Sequence, residues 1–135
     1  MLFEDVNYEI FGLKRDNNLF SPKETLMHGN LFKDSYEPYN NYPVYQLVPN
    51  TERDACLLKL YEYDQVLNDL NLYLDLHPKD EYMYSLFKKY AHEFEMEKHK
   101  YEKMYGPLML LDTDYDSFKW ISNPWPWESS GDTYV

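Results

Sequence analysis

Proline placement is the strongest constraint on what this chain can fold into. Pro22, Pro38, Pro43 and Pro49 interrupt the first fifty residues, and Pro107, Pro124 and Pro126 interrupt the tail. Between them, residues 50–77 and 79–106 contain no proline and are parted only by Pro78. Proline removes a backbone donor and clashes with the preceding helical turn, so long helices are confined to those two stretches. Each must bury an apolar stripe to be stable, because an isolated helix in water is marginal.

The first stretch reads as a helix over 51–77. Thr51 is placed to cap it, with Asp54 three residues later and Glu52 beside it at the positive end of the helix dipole. Cys56, Leu60, Tyr63, Leu67, Leu70 and Leu74 recur at spacings of four and three, widened by Leu57, Val66 and Tyr73. Pro78 disfavours helical dihedrals at His77 and ends the element. The second helix is predicted over 78–105, with Pro78 in its first position and Asp80 and Glu81 in its first turn. Its stripe is Met83, Phe87, Tyr90, Phe94, Tyr101 and Met104, lapsing at Glu97-Lys98, where lower burial is expected. Gly106 and Pro107 close it. Two long helices joined by about two residues must run antiparallel, so the fold class is all-α, an antiparallel helical hairpin with extended arms rich in proline and aromatics.

Such a hairpin leaves apolar surface to cover, and three coverings compete: the chain's own arms, a second copy, or another protein. The arms are suited to the task. In residues 1–50, Ser21, Pro22 and Gly29 mark the start and stop of a short helix near 22–29. Tyr36, Tyr39, Tyr42 and Tyr45 follow at intervals of three, the period of a polyproline II helix, which would align the rings along one edge. In the tail, Trp120, Trp125 and Trp127 fall within eight residues, and Pro124 and Pro126 stiffen the last two. Large rings in irregular segments serve to dock on something. The docking residues are read as Leu31, Phe32, Tyr36, Tyr39, Tyr42, Tyr45, Trp120, Pro124, Trp125, Pro126 and Trp127.

Composition excludes much else. With 24 acidic against 13 basic side chains, the net charge is −11, which disfavours nucleic acid and anionic membrane as partners. Cys56, the one cysteine, cannot form an internal disulfide, and its place on an apolar stripe marks it as a buried thiol rather than a nucleophile. The opening Met1-Leu2-Phe3-Glu4-Asp5 has neither a basic nor an apolar signal region, and no stretch approaches the roughly 20 apolar residues of a membrane span.

No catalytic motif is present: there is no phosphate-binding glycine loop, nucleophile elbow or paired-cysteine zinc site. His92, Glu95 and His99 share a helix face at metal-ligand spacing, but a solvated polar face explains them and no metal is expected. Asp112, Asp114 and Asp116 alternate like part of a calcium loop, yet Ser117 and Asn123 occupy the positions where that loop needs Gly and Glu. No cofactor is implied, and the chain reads as a non-enzyme.

Three strings carry a resemblance. Residues 70–78, Leu-Asn-Leu-Tyr-Leu-Asp-Leu-His-Pro, are followed by Tyr105-Gly106-Pro107-Leu108 and by Pro124-Trp125-Pro126-Trp127-Glu128. With them, residues 57–128 resemble the spore coat CotJB family. Pro22, Leu26, Gly29, Leu31-Phe32, Tyr36, Pro38 and Tyr39 make residues 19–39 similar to the companion coat family CotJA, although Asn30 and Lys33 depart from its pattern. The chain thus looks like a CotJA–CotJB fusion, with 1–50 as the CotJA-like arm, 51–128 as the hairpin and tryptophan tail, and 129–135 as a flexible end. The resemblance implies a structural protein made in the mother-cell cytoplasm and laid down in the inner spore coat, docked to other coat proteins and to CotJC, which resembles a manganese catalase. Two further functions stay open: an accessory subunit governing metal loading or access in that catalase-like protein, and an aromatic module for sugar polymers. A homo-oligomer also remains open.

Overall fold

The computed structural model describes residues 18–112 and 115–121. Its elements in chain order are helix α1 (Pro22–His28), helix α2 (Glu52–Leu76) and helix α3 (Glu81–Tyr105), with single 3-10 turns at Lys33–Ser35 and Lys119–Ile121. No strand occurs among the described residues; Leu19 and Phe32 form one isolated antiparallel bridge. Helices α2 and α3 pack along each other, and α1 lies against α2.

Local chemistry sets each boundary. At the start of α2, Thr51 Oγ1 accepts the Asp54 amide at 3.1 Å. Its end falls at Leu76, with the His77 amide donating to the Tyr73 carbonyl at 2.9 Å. Helix α3 begins three residues later than predicted. Pro78 and Lys79 lie in a turn, and Asp80 is the cap, its Oδ1 accepting the Met83 amide at 3.2 Å. An extended residue whose carboxylate accepts a first-turn amide satisfies an orphan donor that a proline at the first position leaves open. The connection is therefore His77–Asp80. Gly106 ends α3 with φ 109° and ψ −176°, a backbone region in practice reserved for glycine. In α1, Ser21 accepts the Glu24 amide and Gly29 takes a left-handed φ of 72°.

The core has two centres. Near the hairpin tip, Leu31 from the N-terminal arm joins Val66, Leu70 and Met83. Near the open end, Leu57, Leu60 and Tyr101 pack with Leu108 and the half-buried Cys56. Two features of the predicted stripes shift. Val66 and Leu57, placed on the flank of the α2 stripe, are buried, whereas Leu67 is half-buried, because the arm and the post-helical turn cover α2 from a second side. Met104, assigned to the α3 stripe, is exposed. The lapse at Glu97-Lys98 is also not a loss of burial. Both side chains are mostly covered, and Glu97 pairs with Lys59 at 3.3 Å across the hairpin.

Candidate functional site

The N-terminal arm is fastened to the hairpin by polar and aromatic contacts. Asp69 Oδ2 accepts the Leu31 amide at 2.9 Å, and Gln65 donates to Asp69 Oδ1 at 3.3 Å. Phe32 lies against Tyr73 with centroids 5.6 Å apart, and Tyr73 stacks on His77 at 4.3 Å while its hydroxyl donates to Asp80 Oδ2 at 2.8 Å. Between arm and tip lies a groove of about 270 Å³, walled by Leu19, Phe32, Tyr73 and Met83 and rimmed by Asp34 and Asp80.

At the other end, residues 106–112 fold into a turn anchored by one carboxylate. Asp112 Oδ2 accepts the amides of Leu108 (3.1 Å) and Met109 (2.8 Å), and its Oδ1 receives the Lys98 ammonium at 3.4 Å. Lys98 also lies 3.5 Å from Glu102. Burial opposes the charge on Lys98, but Asp112 and Glu102 together hold its pKa above the usual lysine value. Burial raises the Glu102 carboxyl, as does its hydrogen bond with Asp112. Burial would raise Asp112 as well, yet the Met109 amide, Glu102 and Lys98 outweigh it and the carboxyl is lowered. The turn so anchored shows Met109, Leu110 and Leu111 to solvent, at 55%, 56% and 83% exposure.

The residues expected to dock partners are thereby sorted. Leu31 is 1% exposed and belongs to the core: its amide and side chain are both occupied by α2, so it docks the chain's own hairpin and not a partner. Phe32 is half-buried against Tyr73, and Tyr36 packs edge-on to Phe20 and His28 at 5.9 and 4.6 Å. Tyr39, Tyr42 and Tyr45 remain open, at 80%, 61% and 71% exposure. They do not form a continuous polyproline edge. The chain turns at Asn40-Asn41, with Asn41 at φ 59° and the Tyr42 amide donating to the Tyr39 carbonyl at 3.4 Å, which sets Tyr39 and Tyr42 perpendicular with centroids 6.4 Å apart. Asparagine tolerates the left-handed region that such a turn requires. Trp120 is exposed in the second 3-10 turn. Pro124, Trp125, Pro126 and Trp127 lie outside the described residues.

His92, Glu95 and His99 are all exposed on α3. Among the described residues, no three His, Cys, Asp or Glu side chains group so as to hold a metal ion. Asp112 of the acidic alternation serves the turn, and Asp116 is exposed. Sequence reasoning missed the knuckle at 109–111 and the anchoring roles of Asp69 and Asp112. A run of four apolar residues followed by Asp was the available signal for the knuckle. No helix of the described residues is long and apolar enough to cross a membrane.

Comparison with known proteins returns one family. A family model described as CotJB protein matches residues 54–128, a span that takes in α2 from its third residue, α3, the Asp112 turn and the tryptophans of the tail. No curated protein and no solved structure matches the chain.

Proposed function

The chain belongs to the CotJB family, a family of spore coat proteins, and from that premise we propose that it is a non-catalytic assembly component whose aromatic arms dock neighbouring coat proteins. The observation that carries this reading is the exposure of Tyr39, Tyr42 and Tyr45 on an arm whose root is pinned to a rigid hairpin. Aromatic side chains bring large contact area with little rotamer entropy to lose, which is why they dominate interface hot spots. Pinning Leu31 and Phe32 while leaving the later tyrosines open keeps the docking segment at a defined place.

The partner we propose is CotJC, the manganese-catalase-like coat protein, and the compartment is the inner coat after synthesis in the mother-cell cytoplasm. The CotJA-like arm supports this: residues 19–39 of one chain would bring two coat proteins to CotJC in fixed ratio. The test is co-purification of the full chain with CotJC. Tyr39→Ala/Tyr42→Ala/Tyr45→Ala and Trp125→Ala/Trp127→Ala variants should recover far less CotJC at unchanged helix content. Recovery equal to wild type from both variants would sink the docking role.

A further inference from the structure

The molecule carries a knob at one end and a socket at the other. The knob is the turn at 109–111, where Asp112 fixes the backbone through two amides and three large apolar side chains point outward. A rigid backbone under exposed Met109, Leu110 and Leu111 means that little chain entropy is lost when they are buried. The socket is the groove at the hairpin tip, whose walls are apolar. At about 270 Å³ it exceeds the roughly 150 Å³ that accommodates a benzene ring, so it admits a leucine or methionine side chain.

The two cannot meet within one molecule. Met83 of the socket lies in the first turn of α3, whereas the knob is anchored through Asp112 to Lys98, fifteen residues further along the helix, so about 22 Å separates them at 1.5 Å per residue. The socket itself is rimmed by Asp34 and Asp80, with exposed Lys33, Lys79 and Glu81 adjoining them in sequence, while the last turns of α3 that lead into the knob carry exposed Lys100 and Lys103, which the two rim carboxylates can pair in a second copy.

We propose that the Met109–Leu111 knob of one chain inserts into the tip groove of a second copy, giving head-to-tail assembly. The surfaces joined are different ones, so the contact is heterologous and leaves a free knob and a free socket at the two ends of every assembly. Such a contact propagates, which suits a protein of a layer. The buried area of one knob is below that of a stable standard interface, so each link is weak and assembly depends on concentration.

The full chain, followed by sedimentation velocity from micromolar to millimolar concentration, should show an average mass rising above 16.5 kDa. Leu110→Asp/Leu111→Asp removes the knob at exposed positions, and Ser35→Arg places a bulky charge on an exposed residue of the groove wall. Each variant alone should stay monomeric. An equal mixture of the two should stop at dimers, because it contains one good knob and one good socket per pair. Asp34→Lys, reversing the rim charge at an exposed site, should also weaken assembly and serves if Ser35→Arg fails to fold. A wild-type chain that stays monomeric throughout, variants that assemble like wild type or dimerise alone, or a mixture that forms no dimer would each overturn the proposal; a variant that dimerises alone would mean that like surfaces pair.

Discussion

The carboxylate of Asp69 accepts the backbone amide of Leu31 at 2.9 Å, across 38 positions of sequence. Asp69 sits on the side of α2 that meets the N-terminal arm. Its hydrogen bond draws the arm onto that side, and the Leu31 side chain is buried there against Val66 and Leu70. This hydrogen bond, the buried leucine and the packing of Leu19 and Phe32 beside it add the arm to the core of the two-helix hairpin.

Asp69→Ala is expected to cost about 1.5–3 kcal/mol, the usual scale for a hydrogen bond to a charged group that leaves its partner buried. Asp69→Asn, which keeps an acceptor, should recover most of it. Thermal melts measure the stability, and hydrogen exchange at the Leu31 amide reports whether the arm has opened.

Leu70 is fully buried at the centre of the tip cluster, while Leu72, two residues on, is 58% exposed. Leu70→Ala should cost about 2–5 kcal/mol through lost transfer energy and the cavity left behind. Leu72→Ala should stay within about 0.5 kcal/mol of wild type. Urea unfolding of both variants separates a deep core from a solvated face of the same helix.

Gly106 holds φ 109° and ψ −176°, with open space where a side chain would project. Gly106→Ala is therefore penalised by the backbone and not by a clash, at about 1–3 kcal/mol. Chemical shifts of Leu108, Met109 and Tyr115 should move with it, since this residue sets the direction of the turn that Asp112 anchors.

The Lys98–Glu102–Asp112 group predicts opposite pH behaviour for its two acids. Asp112 is lowered from its ordinary 3.8, so its contribution is present above that value and is lost as pH falls through the folded one. Glu102 is raised from its ordinary 4.5, so it favours the fold when protonated and that contribution fades as pH rises through the folded value. Glu102→Gln should therefore raise the melting temperature at pH 7, by less than about 1 kcal/mol equivalent, with the gain vanishing below pH 4.5. Asp112→Ala should destabilise at pH 7, with its difference from wild type shrinking only at more acid pH. Melting curves from pH 3 to 8 check both.

Much of the scaffold is legible from residues alone because it is local. Thr51, Ser21, Gly29 and Gly106 act on backbone groups within four positions, and the recurrence of Leu60, Leu70, Met83 and Tyr101 follows helical geometry. Reading fails where two solutions were locally close. Pro78 could have opened α3, but Asp80 offered a side-chain acceptor. The tyrosine interval of three matched polyproline II, but Asn41 turned the chain instead. Glu97 and Lys98 looked like solvated charges, and each is covered because a partner from another segment, Lys59 or Asp112, comes to meet it.

The sequence by itself determined that this chain is a hairpin of two long helices, through its prolines, caps and apolar period, and its strings determined the family. Only the tertiary structure decided which large apolar side chains of the arms are spent internally and which remain outside. Leu31, Phe32 and Tyr36 turned inward, Tyr39, Tyr42 and Tyr45 stayed open, and Met109–Leu111 became a knob. The reason is physical: period and capping are properties of neighbours in sequence, whereas burial of an arm depends on partners far away in it, Asp69 for the Leu31 amide, Val66 and Leu70 for its side chain, and Tyr73 for Phe32.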